Sequence, residues 1–345
     1  MNERTPSNEQ TLCVVGLGLI GGSLLRAAER AGWTVQGTAT SAADVALARK
    51  AGFDVTSALD EALRAAAESD ALVVLAVPLP AVEEVLAVVA REAPRCPLTD
   101  VVGVKRPVAA AVARCAPLVR YVGGHPMAGR SASGWAAGSA ELFVAAPWVV
   151  SADDGADTAV WAQVAGLALD CGAHVVPASA ADHDAAVARV SHLSHVLAAV
   201  LASVGADGGP LAMALGAGSF TDGTRVAGSP PDLVRAMCEG NQGALLTAVD
   251  DALGRLGAAR GSLASTGGLA ATIRAGHLAR RAFDAARGGN PAVNTPDVDT
   301  LHVDLDGAGA LERLREIGRA GGRVVALDGQ RCTVRAIHQA ITARR

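Results

Sequence analysis

An α/β fold, followed by an all-helical half and a small α+β tail, is what this sequence predicts. Three observations carry the expectation. Short apolar runs alternate with helix-like stretches from Thr11 to about Val176. Glycines crowd the first strand-to-helix junction, Gly16-Leu17-Gly18-Leu19-Ile20-Gly21-Gly22. Beyond Pro177 the alternation stops and one helical stretch follows another.

The apolar runs are Leu12–Val15, Thr34–Gly37, Ala71–Val77, Leu98–Val101, Tyr121–Val122, Trp148–Val150 and His174–Val176. Ser23–Ala31, Asp44–Ala51, Ala81–Arg91 and Arg106–Ala116 read as helices between them, which argues for a mostly parallel sheet covered on both faces. Ser179 is an N-cap for the first of the later helices, which continue to about Ala286 with breaks at Gly205–Pro210 and Gly228–Pro231. Gly288–Pro296 reads as a linker, Thr300–Asp304 as a strand, Ala310–Ala320 as a helix, and Arg323–Leu327 and Arg331–Arg335 as strands. The expected division is 1–178 for a dinucleotide-binding domain, 179–288 for a helical substrate and dimerisation domain, and 297–345 for a small accessory module of unknown role.

Half of the 345 residues are hydrophobic but only 3% are aromatic, so the core must rest on close packing of Ala, Val and Leu. A net charge of -4 with both signs dispersed offers no basic face for nucleic acid. Charged residues are expected to interrupt every apolar run before it reaches membrane-spanning length. The polar start, Met1–Gln10, lacks a signal-peptide layout, and the six cysteines form no CxxC pair. They read as reduced thiols of a cytoplasmic protein.

The glycine run follows a strand and opens a helix, the context that makes it a Rossmann-type fingerprint. Its glycines serve a tight turn, the approach of backbone to a pyrophosphate, and close helix–strand packing. The expected cofactor contacts are Gly16, Gly18, Leu19, Ile20 and Gly21, with Val77 and Pro78 after the third apolar run, and Thr38, Thr40 and Ser41 after the second. That second run ends Gly37-Thr38-Ala39-Thr40-Ser41, without the carboxylate that bonds the NAD ribose or an arginine for a 2′-phosphate. NAD is the expected cofactor and NADP the alternative.

Gly123-Gly124-His125-Pro126-Met127-Ala128-Gly129 sets one imidazole in a backbone-rich turn, where it can accept a proton while a nicotinamide accepts a hydride. His192 and His195, three residues apart, share one helix face. His183 lies nine residues before His192, half a turn out of phase on an unbroken helix, and points elsewhere unless the helix bends. Asp182 and Asp184 flank His183, on the wrong side for the His192/His195 pair, so no metal is assigned. Arg225, on a loop between helices, gains value if the site must grip a carboxylate.

With these residues in place the chain resembles the prephenate/arogenate dehydrogenase family of tyrosine biosynthesis, from Thr11 to about Ala286. The resemblance rests on Gly16–Gly22, on Asp100-Val101-Val102-Gly103-Val104-Lys105, on the His125–Gly129 turn, on Ser191–His195 and on the loop around Arg225. It implies a Rossmann domain followed by a helical dimerisation domain, a homodimer, and an active site between the two. It implies His125 as the catalytic residue, His192 and His195 in the substrate pocket with His183 as a third, and Arg225 on a substrate carboxylate. Gly103 stands where the family usually has a serine that binds the substrate's ring hydroxyl, and an aromatic residue found near Val234 in some relatives is missing.

The expected reaction is oxidative decarboxylation of prephenate, or of arogenate, with hydride passing to NAD(P). His125 takes the hydroxyl proton, and activity falls through about pH 6–7 if its pKa is unperturbed. A β-hydroxyacid dehydrogenase fits poorly, because the catalytic lysine of those enzymes has no counterpart after Lys105. A nicotinamide-binding redox sensor without turnover explains the fingerprint but not the histidines with Arg225.

Overall fold

The computed structural model describes residues 10–130, 132–286 and 298–337. The predicted linker Gly288–Pro296 lies outside the described residues. In chain order the first half comprises β1 (Thr11–Val15), α1 (Leu19–Arg30), β2 (Thr34–Thr38), α2 (Ala42–Lys50), β3 (Asp54–Thr56), α3 (Leu59–Glu68), β4 (Leu72–Leu75), α4 (Val82–Glu92), β5 (Pro97–Asp100), α5 (Arg106–Cys115) and β6 (Arg120–Tyr121). These strands form a parallel sheet in the order β3-β2-β1-β4-β5-β6. Leu12, Cys13 and Val14 of the central strand are fully buried, as a strand covered by helices on both faces must be. The sequence reading missed β3 and α3, although α3 sets Leu59, Ala62, Leu63 and Ala66 at helical spacing toward the core.

The later runs of the first half do not continue this sheet. β7 (Gly124–Pro126), β8 (Pro147–Ser151) and β9 (His174–Ala178), with α6 (Thr158–Asp170) between the last two, belong to a second, mixed sheet. The expected His125 turn is therefore itself a short strand, antiparallel to β8, with His125 opposite Val149. The tail supplies β10 (Val298–Asp304), α14 (Ala310–Arg319), β11 (Arg323–Asp328) and β12 (Arg331–Ile337), and the sheet order is β10-β12-β11-β9-β8-β7. β11 pairs with β9 through Val324 and Val175. A shared core packs Trp148, Trp161 and Val175 with Leu314, Val324 and Val334 of the tail.

Between β9 and the tail the chain is helical. α7 (Ala180–Val187) starts on a Ser179 N-cap whose hydroxyl accepts from the Asp182 amide at 3.0 Å, as expected. A π-helical turn at Ala188–His192 joins it to α8 (Leu193–Asp207). Then come α9 (Gly209–Ala214), α10 (Gly218–Thr224), α11 (Pro231–Gly240), α12 (Gln242–Ser265) and α13 (Ala270–Ala286). Many leucines here stand exposed on the single chain, among them Leu246, Leu253, Leu256 and Leu278.

One expectation is overturned. The continuous 28-residue helix Ala180–Asp207 contains an 18-residue window with a mean hydropathy of 1.5 and is long and apolar enough to cross a membrane by length and composition. Its acidic residues sit near its two ends, leaving Val190–Ala206 free of Asp, Glu, Lys and Arg. Its first third nevertheless carries His183 and Asp184, both buried and bonded to α5 and β7, which ties that end into protein rather than hydrocarbon.

Candidate active site

The glycine loop joins β1 to α1 where the chain order of the parallel sheet reverses, since β1 has β2 on one side and β4 on the other. Such a switch point opens a crevice at the carboxyl ends of the strands. Gly16 has φ +104°, and a β-carbon on Gly21 would lie 1.8 Å from the Gly16 carbonyl oxygen, so neither tolerates a side chain. Over Gly18 the space is open, with nothing within 4 Å of a built β-carbon. The helix begins at Leu19, earlier than the expected Ser23, and no side chain caps its first amides. An open glycine before uncapped helix amides fits a pyrophosphate, with Leu19 and Ile20 in the first turn and Val77 and Pro78 following β4 beside the loop.

The three hydroxyls after β2 divide. Thr38 is buried and its carbonyl accepts the Gly16 amide at 2.7 Å, so it holds the loop from beneath. Ser41 caps α2, accepting from the Asp44 amide at 3.2 Å. Thr40 is exposed and is the hydroxyl best placed to meet a bound nucleotide.

Around His125 the hydrogen bonds fix which ring nitrogen carries a proton. The Asp184 carboxylate accepts the Lys105 amide at 2.8 Å and the Arg106 amide at 2.9 Å, at the start of α5. Burial opposes its charge, but these bonds and His183 hold its pKa below the ordinary carboxylate value. Asp184 is therefore an acceptor, and His183 Nδ1–H donates to it at 2.8 Å. His183 Nε2 must then accept, so the 2.8 Å contact with His125 is a bond donated by His125 Nδ1–H. The lone pair of His125 is left at Nε2. That nitrogen lies 3.8 Å from a β-carbon built on Gly103, which also touches Met237 of α11 at 3.7 Å.

Burial, then the neighbouring His183, Lys105 and His192, push the His125 pKa well below its ordinary value. The expected fall in activity at about pH 6–7 is corrected accordingly, toward more acid pH. Beneath the ring, Gly124 packs so closely that a β-carbon would lie 2.7 Å from the Asp100 carbonyl oxygen. The fully buried Lys105 ammonium bonds both the Asp100 carboxylate and the Gly124 carbonyl. Tyr121 donates to the other Asp100 oxygen at 2.6 Å. This ionic knot ties the Gly103 loop to the His125 strand.

The helix is not uniform: the π-turn absorbs an extra residue and narrows the half-turn phase difference between His183 and His192 to about a quarter turn. Asn241, at the α11–α12 junction, donates to the Asp184 carbonyl at 2.7 Å, and the same amide nitrogen contacts His192 Nδ1 at 3.2 Å. His192 Nδ1 must accept, which leaves its Nε2–H a buried donor without a protein partner. Burial first, and then its histidine neighbours against Asp184, lowers the His192 pKa to about 4. His195 is held by the Val226 backbone carbonyl, its Nδ1 has no partner, and the Arg225 charge lowers its pKa after burial does. Arg225 is exposed and opens a 3₁₀ turn rather than lying in an open loop.

The structure thus brings His125, His183, His192 and Gly103 together, with Arg225 beside His195. His183, expected among the substrate contacts, is instead buried with both ring nitrogens spent on protein partners. Sequence reasoning missed Asp184, Asn241 and Met237. The adjacency of Asp184 to His183 was visible, but its role depends on the α5 amides it meets, which are far away in sequence.

Fold and site define a class: a dinucleotide-binding α/β protein with a helical second domain and a cluster of buried histidines at their junction. Family models agree. Residues 23–177 match the nucleotide-binding domain of prephenate dehydrogenase and residues 179–266 its dimerization domain. A Corynebacterium glutamicum crystal structure, described as a candidate prephenate dehydrogenase, is 42% identical with a TM-score of 0.83, and the match covers 91% of this chain and 98% of that one. Bacillus subtilis prephenate dehydrogenase is 33% identical over 38% of this chain, and Zymomonas mobilis cyclohexadienyl dehydrogenase 36% identical over 42% of it. These two matches span 36% and 50% of the relatives' own lengths. The chain belongs to the prephenate/arogenate dehydrogenase family.

Proposed function

We propose that the protein is a prephenate dehydrogenase, converting prephenate to 4-hydroxyphenylpyruvate and carbon dioxide at the His125 site in tyrosine biosynthesis. The observation that carries the reading is the Asp184–His183–His125 bond order, which leaves one unprotonated nitrogen next to Gly103. Such a nitrogen is a general base held in one tautomer.

Prephenate has a hydroxyl on the ring carbon that loses hydride, a ring carboxylate and a pyruvyl side chain. His125 Nε2 accepts the hydroxyl proton as the carbon–oxygen bond gains double-bond character. The Gly16–Gly21 loop and the first turn of α1 would hold the pyrophosphate of a dinucleotide, whose nicotinamide would supply the hydride acceptor when bound. The bond from the ring to its carboxylate breaks, carbon dioxide leaves, the electron pair completes the aromatic ring, and the ring oxygen takes back the proton from His125 as the phenol. Arg225 grips a substrate carboxylate, and the free His192 N–H donates to an oxygen of the substrate. Met237 covers the apolar ring where Gly103 provides no side chain. The protein contributes position and a fixed proton acceptor, and aromatisation contributes the driving force.

NAD is the proposed cofactor, with NADP as the alternative, since no carboxylate follows β2 to exclude a 2′-phosphate. Arogenate is the second substrate reading. It is favoured by the unpartnered Nδ1 of His195, an acceptor suited to an ammonium. The helical domain pairs two copies into a homodimer. The experiment is direct: prephenate and arogenate are each supplied with NAD and with NADP, and formation of reduced cofactor is followed by fluorescence. Turnover with one substrate selects it, and no turnover with either refutes the reading.

A further inference from the structure

We propose that the C-terminal unit, residues 298–337, is part of the catalytic apparatus. Through Arg315 and Gly318 of α14 it seats the start of α7, and with it the His183 ring that orients His125. The inference rests on the reading of His125 as the base, and neither family model reaches this unit.

α14 lies against β9 at the corner where β8 and β9 end and α7 begins. Arg315, its side chain 11% exposed, donates through Nη1 to the Ala152 carbonyl at 2.7 Å. The Ala152 amide in turn donates to the Ala178 carbonyl at 2.8 Å, so this residue joins the ends of the two strands. Asp153 accepts the Ala180 amide at 3.0 Å, in the first turn of α7. A β-carbon on Gly318 would fall 1.7 Å from the Pro177 carbonyl oxygen, so α14 and the strand end are in backbone contact. Arg319 reaches the Asp182 carboxylate at 2.9 and 3.0 Å, one residue before His183.

These contacts are unequal. The Arg319–Asp182 pair is half exposed, and Asp154, which pairs with the other Arg315 nitrogen at 2.7 Å, is 90% exposed. Exposed pairs hold little. The buried bond from Arg315 to Ala152 and the Gly318 contact therefore carry the brace. The run from Pro177 to Asp182 is held from one side by α14, and His183 meets His125 at 2.8 Å on the other. Arg315 acts through this corner and touches no substrate, which makes it a positioning residue.

The test compares wild type with Arg315→Met, which keeps the apolar stem and loses the donors, and with Arg315→Lys, which restores a charge and one donor. In substrate-free protein, proton nuclear magnetic resonance reads the downfield imidazole N–H signals of the Asp184–His183–His125 chain. The Met variant is expected to broaden or lose these signals. Its kcat drops about 10- to 100-fold, its acid limb moves up toward the ordinary histidine range, and its cofactor KM stays unchanged, because the glycine loop belongs to the other sheet. The Lys variant recovers part of each effect. A Met variant that melts lower but keeps the N–H signals, kcat and acid limb would overturn the proposal, because the unit would then only add stability. Should Arg315→Met fail to fold, Arg315→Gln, whose shorter amide gives up the Ala152 bond but keeps the position polar, is expected to weaken the same signals, and unchanged signals there overturn the proposal. The resonance readout needs no substrate, so it decides the brace even if neither prephenate nor arogenate is turned over.

Discussion

At the scale of single residues, the proton map around His125 starts from two backbone amides. Lys105 and Arg106 N–H fix Asp184 as an acceptor, Asp184 fixes His183, and His183 fixes His125. Asp184→Asn replaces one acceptor oxygen by an N–H that must face either the Arg106 amide or the Lys105 amide and the His183 N–H, so the anchor of the tautomer chain is weakened. Turnover is expected to fall by about 10²–10⁴-fold, the range seen when a buried carboxylate that orients a catalytic histidine is made neutral. His125→Asn removes the base itself and costs about 10²–10⁴-fold in kcat with cofactor KM preserved, which steady-state kinetics checks. Because burial and its neighbours lower the His125 pKa, the base stays unprotonated into mildly acid solution. The acid limb of kcat/KM should lie below the ordinary imidazole value of about 6.5, and a limb at or above it contradicts the assignment. Gly103→Ser is accommodated, since its β-carbon meets Met237 and His125 at ordinary contact distances. A hydroxyl there is expected to raise kcat/KM about 2- to 10-fold, one neutral hydrogen bond, read in the same assay.

At the scale of elements, the segment that matters most is α7, the π-turn and α8. Spacing alone placed His183 half a turn from His192 and its flanking Asp184 on the wrong side for the His192/His195 pair, and a uniform helix would have made that right. Asn241 bridges the Asp184 carbonyl and His192 on either side of the π-turn, from a helix junction far along the chain. A local reading of Ala188–His192 has no means of seeing it. By contrast, the glycine loop and β1 were legible, because Gly21 packs on the Gly16 carbonyl within one strand-turn-helix unit, although Ala76 and Val77, which crowd Gly16 from the end of β4, lie outside it. The second sheet was only half legible: its strands showed as apolar runs, but the antiparallel turn at His125 and the docking of β11 on β9 are set by long-range pairing. Asn241→Ala leaves His192 Nδ1 and the Asp184 carbonyl without their buried donor. The expected cost is about 1–3 kcal/mol in unfolding free energy, measured by urea titration, together with a loss of turnover.

At the scale of the whole molecule, buried histidines and exposed leucines set the conditions under which the protein holds together. The unfolded chain binds protons on histidine near its ordinary value of 6.5, whereas folded His192 resists protonation down to about 4. Stability from this group is therefore complete above pH 6.5 and is lost as pH falls toward 4, by up to ~1.4 kcal/mol per pH unit. His125 and His183, also lowered, add in the same direction. Urea midpoints should decline across that window, and midpoints flat across it would contradict the burial of these rings. The leucines argue for a second copy. Leu253 and Leu256 of α12 are 60% and 57% exposed and share a helix face, and Leu278 of α13 is 58% exposed. Leu253 and Leu256 lie within residues 179–266, which match the family's dimerization domain, and Leu278 follows them, so this face of α12 is the expected pairing face. Wild-type protein is expected to sediment as a dimer. The double variant Leu253→Glu, Leu256→Glu should sediment as a monomer with its circular dichroism preserved, because both side chains already face outward in the single chain. A double variant that remains dimeric would move the interface off this face of α12.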